Sequence, residues 1–414
     1  MNDIIIMEKL PTEILLYIFE KLSYRDLKMV MLVCSRWREI GEIPRLWSSF
    51  PVIVNSRNMS VIPEILSIRR MQGLKKLRIE TKLSEKVSQT IVRHPGLGEF
   101  EMSQRNDEQT IISVIKVICS KVCQGIILKL NNKNISGIDA VLLVGAVTKL
   151  ETLEISNTKL TQQQIVAILT VVSEGRKMTK LDINSNNMSG VDPELLAKTV
   201  TKTKIFNVGD TNLTQQQAEA ILTAVSEAKT VMELDIAFNN LSGVDEGLLA
   251  KAVTNLKTLN VNRSKLTQRQ IVTILTALIK GNTLHIGMND LSRVDPGLLA
   301  RRVTKLEVLD VQDTELSQHQ VFAIIHAVSV SNKINELYIG ENDLSEVDPG
   351  LLTKAVTKLV RLDVQNTKLT QQQNEAILNT LNTGSKMEKL YIGYRDMSGV
   401  DSRQLPKAVI KFPW

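Results

Sequence analysis

Hydrophobic positions recur along most of this chain in two alternating registers. One reads Met178-x-x-Leu181-x-Ile183-x-x-Asn186-x-Met188 and the other Leu150-x-x-Leu153-x-Ile155-x-x-Thr158-x-Leu160. The Leu-x-Ile alternation predicts a short strand with one face inward. The Asn or Thr that follows can bond turn backbone that would otherwise be buried without partners. A helix is predicted next. Thr161-Gln162-Gln163-Gln164 reads as an N-cap Thr with Gln at N3, and Ile165, Ile168, Leu169 and Val172 follow at i, i+3, i+4 and i+7. In the other register Asp192-Pro193, Asp295-Pro296 and Asp348-Pro349 place an N-cap Asp before Pro, and Leu298, Leu299 and Val303 form the stripe to be buried.

These units repeat with little drift. Asn-x-Ile/Leu/Met-Ser elements centre on Ile135, Met188, Leu241, Leu291, Leu344 and Met397, with steps of 53, 53, 50, 53 and 53 residues. Leu-Thr-Gln or Leu-Ser-Gln elements centre on Leu160, Leu213, Leu266, Leu316 and Leu369, so two unit types of about 28 and 25 residues alternate. The 50-residue step drops three residues just before Leu284, which should shorten the preceding helix and leave the sheet intact. Degenerate copies run backward: Phe100 stands 28 before Leu128, Leu77 stands 23 before Phe100, and Val52, Val54 and Met59 match a core 25 earlier. About fourteen strands are expected. At the far end Arg395 replaces the turn Asn, and Phe412-Pro413-Trp414 reads as an atypical capping unit. Unit length and core pattern resemble leucine-rich repeats, and the alternation resembles their ribonuclease-inhibitor subclass. The resemblance implies an α/β solenoid, a horseshoe with a parallel sheet on its concave face and helices on its convex face. No unit can bury its own apolar face alone, so neighbours must stack.

Ahead of the repeats, Leu10-Pro11-Thr12-Glu13-Ile14-Leu15 opens a helix in which Ile14, Ile18 and Leu22 form one row beside Leu15 and Phe19. Ser23 is placed to cap a second helix with Asp26 at N3, followed by Leu27, Val30, Met31, Cys34 and Trp37 at helical spacing. Together with Val33-Cys34-Ser35-Arg36-Trp37 and Leu46-Trp47, these residues resemble an F-box. That resemblance implies docking on a Skp-type adaptor of a cullin-RING ubiquitin ligase through Leu10, Pro11, Ile14, Leu15, Ile18, Leu27, Val33, Cys34, Trp37, Leu46 and Trp47. The expected organisation is a small all-α module at 7–51, degenerate repeats at 52–124 and alternating repeats at 125–414. The expected role is a non-catalytic substrate receptor. The alternative is a protein-binding or inhibitor solenoid whose N-terminal helices are a cap.

Strand positions between the buried residues should face the concave surface. One such position per unit reads Lys129, Glu154, Asp182, Asn207, Asp235, Asn260, His285, Asp310, Tyr338, Asp363 and Tyr391. Acids recur there, while helix positions carry Lys251, Arg301, Arg302 and Lys354, so acid is expected inward and base outward. Such a face would suit a basic segment of a protein substrate. Aromatic anchors are expected at Tyr338, Tyr391 and Tyr394, with Phe238 and His285 earlier on the same unit type. The candidate substrate residues are therefore Asp235, Phe238, His285, Asp310, Tyr338, Asp363, Tyr391 and Tyr394.

Composition narrows the class. Hydrophobic residues at 43% and charged residues at 23% exclude a disordered chain. No stretch approaches 18 apolar residues, and the start lacks a basic n-region and an apolar h-region, so a cytoplasmic or nuclear protein with no membrane span is expected. Three cysteines form neither a disulfide framework nor a zinc set; Cys119 and Cys123 are read as buried packing, and no metal or other cofactor is expected. No nucleophile elbow or phosphate loop is present. Of the net charge of +7, residues 52–124 supply +5, mostly through Arg69, Arg70, Lys75, Lys76, Arg78, Lys82 and Lys86. That cluster is read mainly as a solvated face, and nucleic acid is not an expected partner.

Overall fold

The computed structural model describes residues 10–103, 107–175, 177–393 and 409–412. The chain divides into two compact units, Met1–Asn186 and Asn187–Trp414.

In the first unit, helices α1 (Thr12–Phe19), α2 (Tyr24–Val30) and α3 (Ser35–Gly41) precede a 3-10 turn, Pro44–Trp47. Ser23 Oγ caps α2, accepting from the Asp26 N–H at 3.2 Å and donating to the Asp26 carboxylate at 2.6 Å. Leu15, Phe19, Leu27, Met31, Trp37, Ile40, Leu46 and Trp47 bury one another together with Met71 from the first repeat. Two contacts fix this packing. A Cβ on Gly73 would lie 2.0 Å from the Pro44 carbonyl oxygen, so only glycine admits that backbone approach. Arg70 stacks 5.3 Å above the Trp47 ring and pairs with Glu42.

Strands β1 (Val52–Val54), β2 (Lys76–Ile79), β3 (Glu99–Met102), β4 (Ile126–Lys129), β5 (Leu150–Glu154) and β6 (Met178–Asp182) follow. Each pairs in parallel with the next. Register partners Val52 and Leu77, Leu77 and Phe100, Phe100 and Leu128, and Leu153 and Leu181 reproduce the spacings read from the sequence.

The second unit carries β7 (Thr203–Asn207), β8 (Glu233–Asp235), β9 (Thr258–Asn260), β10 (Thr283–His285), β11 (Val308–Asp310), β12 (Glu336–Tyr338), β13 (Arg361–Asp363), β14 (Lys389–Gly393) and β15 (Val409–Phe412). These too pair in parallel, neighbour to neighbour. Strand β15 is one more than the repeat spacing predicts, because its sequence carries no Leu-x-Ile-x-x-Asn core to reveal it. Arg395, Pro413 and Trp414 lie outside the described residues.

Two buried amide ladders stitch successive repeats. Asn239 accepts from Leu213 N at 3.0 Å and donates to the carbonyls of Val208, Ile236 and Ala237 at 2.9–3.1 Å. Asn186, Asn289 and Asn342 repeat the pattern within their own units. The N3 glutamines were predicted as capping-box partners and are so, but they also reach across: Gln270 donates to Leu241 O and Val244 O of the preceding repeat, both at 2.8 Å.

The dropped residues shorten one helix, as the sequence predicts: Gln268–Ala277 has 10 residues where the equivalent Gln318–Val330 has 13. Arg302 turns inward to meet the resulting end. Its guanidinium donates to Leu275 O at 2.8 Å, Thr276 O at 3.4 Å and Leu278 O, carbonyls that the missing turn would have satisfied. Arg302 is therefore buried, not part of an outward basic face, and the equivalent positions hold Thr199, Ala252 and Ala355. Truncating Arg302 to Ala leaves these carbonyls unmatched, and we expect a loss of about 2–4 kcal/mol in urea unfolding. Lysine should restore little, since one ammonium cannot span three carbonyls.

Candidate functional site

Two surfaces carry the candidate residues. On the N-terminal module the structure sorts the expected adaptor contacts by depth. Leu15, Leu27, Trp37, Leu46 and Trp47 are core, whereas Pro11, Ile14 and Val33 are exposed, and Leu10, Ile18 and Cys34 are half-buried. Sequence reasoning missed Tyr17, Met29 and Leu32, whose side chains are 63%, 57% and 69% exposed. Ile14 and Tyr17 stand one turn apart on α1, Met29 lies in the last turn of α2, and Leu32 and Val33 occupy the turn that follows it. Besides Tyr24, which is exposed but packs edge-on to Trp47 and Phe50, five large apolar side chains thus face solvent within 20 residues, which is the mark of an interaction surface. For Tyr17, Met29 and Leu32, the signal available was their presence outside the F-box pattern in a segment already rich in core residues.

On the sheet, one row of side chains crosses the second unit. Asp235, Asn260, His285, Asp310, Tyr338, Asp363 and Tyr391 are register partners on successive strands, about 4.8 Å apart. Phe238 lies off this row. It occupies the turn after β8 at φ 58°, is 45% exposed, and has the Arg263 guanidinium 5.8 Å from its ring centroid. Tyr394 lies outside the described residues.

The acids in the row are engaged locally. Asp310 is 4% exposed; its carboxylate accepts from Gln312 N at 3.1 Å and Asn262 Nδ2 at 2.7 Å, with His285 Nδ1 at 3.3 Å. Asp363 accepts from the backbone and side chain of Gln365 at 3.0–3.2 Å, and burial pushes its carboxyl above the usual range. Asp235 accepts from Asn260 Nδ2 at 2.9 Å. Cations share the face: Lys180 sits 3.1 Å from Glu154 in the first unit, and Arg361 sits 3.3 Å from Glu336 in the second. The expected segregation of acid from base is thus replaced by internally paired charge.

Aromatic side chains are what the row presents. Tyr338 donates to Glu336 at 2.9 Å, and burial, reinforced by that carboxylate, pushes its hydroxyl up to about 12, so it stays a donor at physiological pH. Each aromatic is followed two residues on, on the same face, by glycine: His285-Ile286-Gly287, Tyr338-Ile339-Gly340 and Tyr391-Ile392-Gly393. Earlier copies of the same unit read Asp182-Ile183-Asn184 and Asp235-Ile236-Ala237. A Cβ at Gly287 would meet Asp310 Oδ1 and Gln312 O, both at 2.9 Å. This triplet could have been read from the sequence and was missed.

Among the described residues no cluster of three or more His, Cys, Asp or Glu could hold a metal ion, and no helix is long and apolar enough to cross a membrane. Cys119 is half-buried against Leu142 O, and burial pushes its thiol up, while Cys123 is exposed, contrary to the packing expected of it, because it falls beyond the end of helix Glu108–Ser120.

Residues 7–50 match the F-box-like family model. Among solved structures the chain is similar to an internalin from Listeria monocytogenes, with 17% identity over 72% of this chain and 88% of that one, at a TM-score of 0.42. Comparison with curated proteins gives no match. The chain joins a helical module that matches the F-box-like model to repeated strand–helix units whose strands pair in parallel.

Proposed function

We propose that this chain is the substrate-recognition subunit of a Skp-cullin-F-box-type ubiquitin ligase. The module at 7–51 binds the adaptor, and the sheet face of the repeats at 125–414 holds a protein substrate. The carrying observation is the exposed apolar set Ile14, Tyr17, Met29, Leu32 and Val33 within the segment that matches the F-box-like model. A purely capping module accounts for the packing of Trp47 and Met71 but leaves those five side chains in water with no purpose. On the sheet, Tyr338 and Tyr391 are proposed as substrate anchors, since rigid aromatics bury much area at low entropic cost. The protein performs no bond chemistry in this reading. It raises the effective concentration of substrate lysines near the ubiquitin-conjugating enzyme.

The test is co-purification of the full chain with a Skp-type adaptor and cullin, beside two variants. Tyr338→Ala with Tyr391→Ala should retain adaptor and cullin and lose the ubiquitylated substrates. Ile14→Asp with Leu32→Asp should lose adaptor and cullin and keep the same substrates, now without ubiquitin. If the wild-type chain recovers neither adaptor nor cullin, the ligase reading fails and a stoichiometric binding solenoid takes its place.

A further inference from the structure

The basic residues of 52–124 include two contrasting sets. Arg70, Lys76 and Arg78 are neutralised: Arg70 by Glu42, Lys76 by Glu99 and Glu101 at 3.3 and 2.7 Å, and Arg78 beside Glu80 at 3.9 Å. Lys82, Arg93 and Lys116 form no ion pair among the described residues, and all three line one cleft of about 580 Å³ on the helix side of the first unit. The cleft runs between helices Glu85–Arg93 and Glu108–Ser120. Its lining falls at Ser88, Val92, Ile112 and Val117 among others, at i, i+4 and i+5 spacing, so the groove follows both helices for about three turns.

The chemistry of this groove is amphipathic. Leu83, Val92, Ile112 and Val117 give it an apolar floor, while Lys82 stands at the start of one helix and Arg93 and Lys116 near the ends of the two. None of these cations forms an ion pair with a described carboxylate. Two acids stand close: Asp107, which caps the second helix through Thr110 N at 2.8 Å and lies in the field of Lys82, and Glu85, which lines the cleft and accepts from Gln89 at 2.9 Å, so the three cations outnumber them. Cations spread along a groove, rather than converging on one point, match an extended ligand better than a single anion. The cleft's lining holds no aromatic side chain on which a base would stack, which argues against nucleic acid.

We propose that this groove binds a short acidic amphipathic segment of a partner protein, its apolar side chains on the floor and its carboxylates against Lys82, Arg93 and Lys116. The site shares no residue with the adaptor face or the sheet row and does not depend on the ligase reading.

A fluorescent synthetic peptide with Glu and Leu at alternating helical positions, titrated by anisotropy into the full chain at low salt, tests it. Reversing Lys82, Arg93 and Lys116 to Glu should weaken binding at least about tenfold, while reversing Lys251, Arg301 and Lys354 should leave it within about twofold. Ser88→Trp keeps every charge and fills the groove, and it should also abolish binding; circular dichroism checks that each variant folds. Equal losses from both charge-reversed sets, or full binding by Ser88→Trp, would show that only net charge attracts the peptide and would overturn the proposal. Tighter binding of oligodeoxythymidine than of the peptide, lost in the same groove variants, would overturn it in favour of nucleic acid.

Discussion

Ile14→Asp combined with Leu32→Asp is expected to weaken adaptor binding about 1000-fold while moving the melting temperature by less than about 2 °C. The reasoning rests on depth. Both side chains are exposed, at 47% and 69%, so the free protein loses little when they change. In a complex each would bury an apolar surface contributing about 2 kcal/mol, and an aspartate there must instead be dehydrated without a counter-charge. Trp37→Ala should abolish binding by another route. Trp37 packs edge-on to Phe19 at 5.6 Å and is 8% exposed, so its removal leaves a cavity costing about 3–5 kcal/mol in a module too small to absorb it. Calorimetry against a purified Skp-type adaptor, with near-ultraviolet circular dichroism of each variant, separates the two. Unchanged affinity in the double Asp variant would remove this face from the interface.

The contrast shows what periodicity can and cannot say. Repeat spacing fixed which residues pair across strands, because every unit must bury its Leu-x-Ile face against its neighbour; Leu234, Leu259, Leu284 and Leu309 align at successive steps of 25 residues, the middle one a 28-residue step shortened by the three dropped residues. In the helical module the same reasoning identified apolar residues but not their depth. Helical spacing defines rows, and which row packs inward depends on the crossing of α1, α2 and α3, to which single-helix periodicity is blind. Leu15 and Leu27 went in while Tyr17 and Leu32 stayed out. Charge was misread for a related reason. Asp310 and Asp363 alternate onto the sheet face as predicted, yet each bends to the N–H two residues on, a local bond that draws the carboxylate down among its neighbours. Arg302 lies on a predicted helix flank and turns inward only because the adjacent helix is three residues short.

Adjacent asparagines offer the sharpest test of how the array holds together. Asn239→Leu is expected to cost about 5 kcal/mol, whereas Asn240→Ala should cost under about 1 kcal/mol. Asn239 is 3% exposed, and its amide serves five backbone groups: the N–H of Thr211 at 3.3 Å and of Leu213 at 3.0 Å, and the carbonyls of Val208, Ile236 and Ala237. Leucine is similar in size and fills the space, so the loss is one of polar pairing and not of volume. Two buried donors and three buried acceptors then face an apolar side chain, each uncompensated group costing about 1–3 kcal/mol before relaxation. Asn240 is exposed and bonds only its own turn, through Ser242 N at 3.2 Å. Because each repeat contacts only its neighbours, the damage should stay local: hydrogen exchange should accelerate from β7 to β9 while β11 to β13 keep their protection. Uniform loss of protection through β13 would mean that these repeats unfold as one cooperative block, and equal effects of the two substitutions would mean that the buried ladder contributes no more than an exposed turn.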